Sequence, residues 1–301
     1  MEEYQLYTTM GAGFESVVAK ELQSLDYETT TENGRVFFKG GQKDIVRCNL
    51  WLRTADRVKI LLKEFTAKDF STLYDETYAY DWAMLLPVDA AFPVKGRSVR
   101  SKLHSEPDVQ SIVKKAIVDK MAAQYHRRGK LPESGSLYQL DVHIYKDTVR
   151  LSLDTTGESL FKRGYRIEHG GAPLKENFAA SLIKLTPYDG THPFIDPMCG
   201  SGTLPIEAAL IARNIAPGTW RKFAFDDFDW FDPRLHEELL KEAKSQVKPA
   251  EAPIWASDID QSILEVAKLN AHNAGVLQDI RFKQVAVKDF TTDLENGVIV
   301  S

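Results

Sequence analysis

The second half of the chain alternates helical segments with short apolar runs, and this alternation restricts the fold more than any other feature. An apolar run of a few residues between helices is typical of a strand that is buried on both faces of a parallel sheet. We therefore predict a doubly wound, Rossmann-like α/β domain from residue 172 onward. Its segments are 177–185, 194–195, 203–213, 254–257, 262–274, 280–283 and 298–300.

A glycine-containing turn follows the first apolar run of this domain. Residues 194–204 read Phe-Ile-Asp-Pro-Met-Cys-Gly-Ser-Gly-Thr-Leu, so Asp196 precedes two closely spaced glycines, Gly200 and Gly202. Glycine lets a backbone approach a ligand, and a helix that begins at Thr203 offers unpaired N–H groups. The third glycine of a dinucleotide fingerprint is absent, and so is the Gly-Lys-Ser/Thr of a phosphate loop. An acid before the turn repels phosphates and suits the sulfonium and amino groups of S-adenosylmethionine. An ordinary glycine-rich turn is the alternative.

A second acid stands at the end of the next apolar run, in Ile-Trp-Ala-Ser-Asp at 254–258. An acid at the end of the second strand of such a sheet can accept hydrogen bonds from both ribose hydroxyls, and Asp258 is the candidate. Asp260 is predicted to cap the following helix, because Gln261 begins a periodic stretch. Two acids that only cap and turn the chain are the alternative.

Charge is distributed unevenly along the 301 residues. The net charge is −5, but residues 91–170 contain 15 Lys and Arg against 9 Asp and Glu. A basic segment in an acidic chain is a candidate footprint for a nucleic-acid backbone, and a solvated helix face is the alternative. The residues that we predict to contact the nucleic acid are Arg100, Lys102, Lys114, Lys115, Arg163 and Arg166.

Three structural units are predicted along the chain. The first 66 residues follow the order strand, helix, strand, strand, helix, strand, which is ferredoxin-like. A mixed α+β segment follows, and its helix at 108–125 has a regular apolar stripe. A glycine-rich stretch at 168–172 leads into the doubly wound domain. The predicted boundaries are therefore 1–66, 67–165 and 166–301.

Several classes of protein are excluded by composition. Only Cys48 and Cys199 are present, so the chain has neither a disulfide framework nor zinc-ligand spacing. No apolar run approaches the roughly 18 residues of a membrane span, and the N-terminus lacks a secretion signal. These features predict a soluble protein of the reducing cytoplasm, with no membrane partner and no metal. Residues 216–253 carry clustered Asp that could ligate a cation, but we favour a loop whose aromatic residues pack while its acids stay hydrated.

In combination these motifs resemble those of a known family. Residues 196–203, 257–260 and 267–275 are similar to motifs of the class I S-adenosylmethionine-dependent methyltransferases. Residues 162–166 and 172–176 narrow the resemblance to the bacterial THUMP-containing RNA methyltransferases, which are similar to the enzyme that methylates the exocyclic N2 amine of a guanine in 23S ribosomal RNA. The resemblance implies that the middle unit is a THUMP domain that binds RNA. Such sequences are often labelled adenine-specific DNA methylases, so DNA methylation is one alternative function. A non-catalytic RNA-binding protein is another.

The resemblance also assigns the cofactor contacts. Asp196 takes the amino-group or ribose side, Asp258 takes the ribose, and Ile259 packs on adenine. Asn177 is a candidate for the methionine end, and Asp289 for the adenine edge. The full predicted set is Asp196, Met198, Cys199, Gly200, Ser201, Gly202, Thr203, Asp258, Ile259, Asn177 and Asp289.

The catalytic residues that the resemblance implies are not in the chain. In the family, the fourth strand of the sheet is followed by Asn-Pro-Pro-Tyr or a close variant, which grips the flipped base. Here that strand is 298–300, and the sequence stops at Ser301. We therefore expect the catalytic residues just after Ser301 and a methyltransferase sheet that is truncated at its C-terminal side.

Overall fold

The computed structural model describes residues 3–127, 130–166 and 173–301. These residues form two sheets, one with seven strands and one with four. Each sheet has its own hydrophobic core. The predicted glycine-rich link at 168–172 lies outside the described residues.

The N-terminal unit has the predicted ferredoxin-like order. Its four strands are antiparallel and lie in the spatial order β2-β3-β1-β4. The tight hairpin between β2 and β3 is possible because Gly34 adopts a φ of +71°. The elements are β1 (Tyr4–Thr9), α1 (Glu15–Gln23), β2 (Thr30–Glu32), β3 (Arg35–Gly40), α2 (Gln42–Trp51) and β4 (Arg57–Thr66).

The middle unit extends the same sheet. Its strand β7 pairs antiparallel with β4, β6 pairs antiparallel with β7, and β5 runs parallel to β6 at the edge. The sequence predicts two short strands at 91–94 and 98–103, but the structure has a single strand, β5, in the middle of this region, with an isolated bridge at Ala91. The elements are α3 (Phe70–Tyr78), β5 (Val94–Val99), α4 (Glu106–Gln124), β6 (Leu140–Tyr145) and β7 (Thr148–Asp154), with a 3₁₀ turn at Trp82–Met84.

The two faces of the seven-stranded sheet differ in character. Side chains alternate between the faces of a strand, so Leu6 and Val36 enter the core beneath the helices, while their neighbours Tyr7 and Arg35 lie on the opposite face. The stripe of α4 packs into this core as predicted, with Val113 and Ile117 buried. We call the opposite face the open face; it carries Tyr7, Arg35, Phe37, Lys59, Arg97, His143, Tyr145 and Arg150.

The C-terminal unit is the predicted doubly wound domain. Its four strands are all parallel, in the order β10-β9-β8-β11. The chain order reverses at β8, so the carboxyl ends of β8 and its neighbours border the crevice where such sheets bind ligands. The elements are α5 (Glu176–Lys184), β8 (Phe194–Asp196), α6 (Thr203–Ala212), α7 (Arg234–Ser245), β9 (Ile254–Asp258), α8 (Gln261–Asn273), β10 (Ile280–Gln284) and β11 (Val298–Ile299).

The phenylalanine side chains of residues 216–253, a segment that we call the aromatic insert, pack on the hydrophobic core of the seven-stranded sheet and not on the core of their own four-stranded sheet. We call the core of the seven-stranded sheet the first core. Phe228 stacks on Tyr138 of the middle unit with ring centroids 4.7 Å apart. The hydroxyl of Tyr138 also accepts a hydrogen bond from the Asp229 amide. The prediction that these aromatic side chains pack is therefore correct, although the surface that receives them belongs to the other two units. Among the described residues no group of His, Cys, Asp or Glu is arranged to hold a metal ion.

The helices are short or polar by the standard of a membrane span. Helix α4 has 19 residues, and charged side chains are spread along its length. In residues 3–127, 130–166 and 173–301, no helix is both long enough and apolar enough to cross a bilayer.

Candidate functional site

The turn after β8 combines a tight glycine with an open one. Gly200 and Gly202 have φ values of +50° and +85°, a left-handed conformation that glycine adopts without strain. A Cβ on Gly202 would lie 3.0 Å from the Cβ of Ala267 in α8, so this glycine lets α6 approach α8. A Cβ on Gly200 would meet no heavy atom within 4 Å. The backbone at Gly200 therefore faces space that a ligand can enter.

Asp196 ends β8 directly below this turn and is only 1% exposed. One of its carboxylate oxygens accepts a hydrogen bond from the Met198 amide at 3.1 Å. Burial raises the pKa of Asp196 to about 6, the Asp258 charge adds to the increase, and the Met198 amide and Ser301 side chain oppose it. The carboxylate therefore supplies a buried negative charge under the turn at neutral pH.

Asp258 ties the end of β9 to the same turn. One carboxylate oxygen accepts from the Gly200 amide at 2.9 Å, and the other accepts from the Asp260 amide at 3.0 Å. Each oxygen keeps a second lone pair that can accept from a ligand hydroxyl. Asp260 caps α8 through a 2.8 Å bond from the Ser262 amide, which confirms its predicted capping role.

Exposed apolar side chains stand at the carboxyl ends of all four strands of this sheet. Met198 follows β8 and Ile259 follows β9, with 59% and 69% of their surfaces exposed. Val287 follows β10, and Ile299 ends β11. Large apolar groups gathered at one edge of a sheet favour the burial of an apolar ligand surface such as an adenine ring.

Arg166 lies outside the sheet and forms hydrogen bonds with side chains of the turn after β8, which we call the cofactor turn because it carries the predicted cofactor contacts. Its guanidinium donates to the Thr203 hydroxyl at 2.8 Å and to the Ser201 hydroxyl at 3.3 Å, and it forms an ion pair with Glu176 at 2.9 Å. The Ser201 carbonyl also accepts from the Asn270 side chain at 3.0 Å. Sequence reasoning did not include Glu176 or Asn270 among the site residues, although both lie in motifs that carry the family resemblance.

The remaining cofactor candidates occupy different positions. Cys199 lies in the turn, where burial raises the pKa of its thiol far above neutral pH, so it stays protonated. Asn177 is buried in α5, and its amide donates to Asp56 of the N-terminal unit at 2.8 Å. Asp289 is exposed in a short 3₁₀ turn after β10. The structure thus brings together Asp196, residues 198–203, Asp258 and Ile259, while Asn177 is engaged at the contact between units.

The predicted RNA contact at Arg163 is wrong. Its side chain is 1% exposed and forms a buried ion pair with Glu207 of α6. It also donates to the Arg53 carbonyl at 2.6 Å, so it connects the N-terminal unit to the C-terminal domain. A guanidinium buried in this way cannot reach an RNA phosphate. The hydrogen bonds of Arg166 likewise direct it to the cofactor turn.

The other predicted RNA contacts lie on the middle unit. Arg100 and Lys102 are exposed in the loop between β5 and α4. Lys114 is held by Glu133 at 2.7 Å, and its ammonium sits 3.4 Å from the centre of the Phe92 ring. Lys115 pairs with Asp119 on the same helix. Arg100 and Lys102 are therefore the more available charges, because Lys114 and Lys115 already have partners.

Comparison with known families matches all three units. Residues 5–59 match the family described as "RlmL ferredoxin-like domain", residues 67–154 match "THUMP domain", and residues 163–301 match "RMKL-like, methyltransferase domain".

Individual relatives cover the whole chain. It is 46% identical over 302 residues to "Putative RNA methyltransferase YpsC" of Bacillus subtilis, covering 100% of this chain and 78% of the relative. It is 36% identical over 309 residues to "Ribosomal RNA large subunit methyltransferase K/L" of Vibrio parahaemolyticus, again covering 100% of this chain but only 43% of that longer protein. The crystal structure of "SMU.472, a putative methyltransferase complexed with SAH" superposes with a TM-score of 0.95 at 45% identity, covering 99% of this chain and 80% of that one.

Proposed function

This chain belongs to the THUMP-domain-containing RNA methyltransferases of the RlmK/L type, and we propose that it methylates the exocyclic N2 amine of a guanine in 23S ribosomal RNA. The methyl donor is S-adenosylmethionine, the cofactor of this family. The observation that carries the methyl-donor part of the proposal is the turn after β8, where the Gly200 amide is held by Asp258 of β9, and the ribosomal RNA part is supported by the similarity to "Ribosomal RNA large subunit methyltransferase K/L". A ribosomal RNA substrate also agrees with the cytoplasmic location that we propose.

The residues of the turn fit S-adenosylmethionine. Gly200 leaves open space for the ligand, and Asp258 presents free lone pairs for the ribose hydroxyls. The buried charge of Asp196 favours the cationic amino group, directly or through the turn that it supports. Ile259 offers an exposed apolar surface to the adenine. Asp289, exposed in the turn after β10, is the candidate for the adenine edge, while the Asn177 side chain is engaged with Asp56 and is not part of this set.

The chemistry requires positioning more than proton transfer. When bound, the cofactor would supply a methyl group whose C–S bond breaks as the amine nitrogen attacks, so that the neutral thioether of S-adenosylhomocysteine leaves and the amine releases one proton. Asp258, Arg166 and Asn270 hold the backbone and hydroxyl groups of the turn in place. A fixed turn would hold the methyl group of the bound cofactor in one orientation. A fixed approach between methyl carbon and target amine lowers the entropic part of the barrier.

Binding of the cofactor product tests the assigned site. Asp258→Asn keeps the shape of the side chain but removes its charge, so we expect the affinity for S-adenosylhomocysteine to fall about tenfold or more in isothermal titration calorimetry. Asp293→Asn, at an exposed acid of the same domain, is the matched control and should bind like the wild type. An unchanged affinity in Asp258→Asn would refute the site.

Methyl transfer tests the substrate. The full-length natural polypeptide, labelled S-adenosylmethionine and undermodified 23S RNA should yield labelled N2-methylguanosine in a nucleoside digest. Label in adenine of DNA alone would instead support the DNA-methylase function. Normal cofactor binding with no transfer to either nucleic acid would contradict the proposed activity, and an absence of cofactor binding would favour a purely RNA-binding role.

A further inference from the structure

A cavity of about 890 Å³ lies on the open face of the seven-stranded sheet, away from the turn after β8. Its lining comes from the N-terminal unit, which contributes Arg35, and from the middle unit, which contributes Arg97, His143 and Lys146. A volume near the upper end of the range for ligand pockets can admit a small part of a polymer strand.

The cations of this cavity are only partly neutralised. Arg97, His143 and Arg150 are register neighbours across β5, β6 and β7. Glu32 and Glu64 both pair with Arg150, so its charge is more than neutralised and the positive character of the cavity comes from its other cations. Neither Arg35 nor Arg97 forms an ion pair in the described part of the chain, although Glu32 lies opposite Arg35 across the β2–β3 pair and is itself bound to Arg150.

Arg35 has a hydrogen-bonding group with no protein partner. Its Nε atom is buried and unpartnered, and its guanidinium lies 5.8 Å from the centre of the Tyr7 ring. The Nε atom therefore makes no hydrogen bond that ties the guanidinium to a protein acceptor, and the Arg35 charge has no ion-pair partner in the described residues.

The lowered pKa of His143 indicates that the electrostatic potential in the cavity is positive. Burial is the largest cause that lowers the pKa of His143, to about 4, and the charges of Arg35, Arg97, Arg150 and Lys59 lower it further. The histidine is therefore neutral at pH 7, and the cavity favours an anion.

An exposed ring stands at the edge of the same cavity. Tyr145 is 41% exposed, and the Lys146 ammonium lies 5.3 Å from the centre of its ring. An accessible aromatic face beside cations is the combination by which proteins bind single-stranded nucleic acid, since bases stack on the ring while phosphates meet the charges.

The cavity wall is connected to the turn after β8 through two neighbouring residues of α5. Asp56 lines the cavity and accepts from Asn177 in α5. The preceding residue, Glu176, holds Arg166, which donates to Thr203 at the start of α6. A strand bound in the cavity would therefore contact an element that also supports the methyl-donor site.

We propose that this cavity binds the phosphates and bases of a single-stranded segment of the RNA substrate. The proposal deepens the proposed function, since it rests on RNA being the substrate. A duplex is too wide to enter a cavity of this size, and its bases are stacked inside the helix.

The direct test compares two double variants for binding of a labelled single-stranded oligoribonucleotide of about twelve residues, a length within the site sizes of single-strand binders. Arg35→Gln/Arg97→Gln removes the unbalanced cations of the cavity. Lys20→Gln/Lys244→Gln removes the same charge from exposed positions on α1 and α7. By fluorescence anisotropy, we expect the cavity variant to bind about tenfold more weakly or worse, and its salt slope to fall by about 0.7 for each phosphate that it no longer neutralises. Equal losses of affinity in the two double variants would overturn the proposal.

Further measurements distinguish single-stranded RNA from other ligands, and a single variant distinguishes a loss of binding from a loss of folding. Adenosine monophosphate or inorganic phosphate that displaces the oligonucleotide at equal phosphate concentration would point to a small-anion pocket, and a duplex that binds as tightly would exclude single-strand specificity. Arg97→Glu alone, at an exposed position, should repeat the loss of affinity with an unchanged thermal midpoint. Full methyl transfer and normal RNA affinity in the cavity variants would refute the cavity and leave the proposed function standing. An RNA affinity that depends on the cavity, without methyl transfer by the wild type, would refute the proposed function and leave the cavity proposal standing.

Discussion

The Asp196 carboxylate shows how a single buried charge can serve a ligand. It is shielded from water, and it retains a hydrogen bond from the Met198 amide. Burial penalises the charged form, so the pKa of Asp196 rises to about 6. The side chain is consequently ionised at pH 7 but becomes neutral within the mildly acidic range.

We expect cofactor affinity to depend on pH through this group. As pH falls from 7 to 5, Asp196 gains a proton and loses its attraction for the cationic amino group, so affinity should fall by up to about tenfold. Calorimetry with S-adenosylhomocysteine at pH 5, 6 and 7 measures the effect. Asp196→Asn should bind weakly, with little change over this range. A wild-type affinity that stays constant would contradict the assigned role.

Arg163 and Asn177 illustrate why residue type alone did not reveal function. An arginine beside a basic segment is a reasonable RNA contact by composition, but Glu207 in a buried helix supplies its countercharge. Asn177 is near the motif residues in sequence, yet its side chain points to Asp56. In both cases the deciding partner is more than 40 residues away, and no local pattern reports it.

At the scale of elements, α6 depends on the close packing of its first turn. All ten of its residues are buried, as expected for a helix that is hydrophobic on every side. Its N-cap, Gly202, combines a left-handed backbone with contact to Ala267. The cofactor turn and the packing of α6 on α8 therefore depend on the same residue.

Gly202→Ala and Gly275→Ala separate the cost of a left-handed backbone from the cost of the close contact with Ala267. Gly275 has a similar φ of +70°, but its Cβ would meet nothing within 4 Å. We expect Gly275→Ala to lower the free energy of unfolding by about 1–2 kcal/mol, from backbone strain alone. Gly202→Ala should cost about 3 kcal/mol, because close packing adds to that strain.

Chemical denaturation of both variants measures the free energies, and calorimetry measures their cofactor affinity. Only Gly202→Ala should weaken cofactor binding. Equal destabilisation in the two variants would show that the contact with Ala267 relaxes without cost.

At the scale of the whole molecule, the aromatic insert joins the methyltransferase domain to the first core. Phe223, Phe225, Phe228 and Phe231 all belong to that core, although they follow α6 in the chain. The THUMP-containing part and the cofactor-binding part are thus held together by hydrophobic burial as well as by Arg163.

Phe228→Ala tests the energetic weight of this contact. Loss of a buried ring that stacks on Tyr138 should reduce the free energy of unfolding by about 3–5 kcal/mol. Phe70→Ala, at a ring that is 37% exposed, is the matched control and should cost about 1 kcal/mol or less. Urea denaturation followed by tryptophan fluorescence distinguishes the two. Similar small losses in both would mean that the insert only covers the first core.

Features with a strong local signal could be predicted from the sequence. The stripe of α4, the cap at Asp260 and the alternation that builds the parallel sheet each depend on residues within one or two turns. The pairing of β4 with β7 could not be predicted in this way, since Thr66 meets Thr148 across the whole middle unit. The boundaries at 66 and 165 and the catalytic residues expected after Ser301 stay predictions.

The sequence by itself determined the fold class, the family and the position of the glycine turn after β8, because hydrophobic periodicity, glycine conformation and helix capping act over a few neighbouring residues. The tertiary structure alone decided which charges are available. It buried Arg163 against Glu207, turned Arg166 toward Thr203, and left Arg35 and Arg97 beside a cavity with no ion pair of their own among the described residues. The physical reason is that desolvation and ion pairing depend on which distant segments meet in space, and the same arginine can be a structural link or a ligand contact according to the partner that it meets.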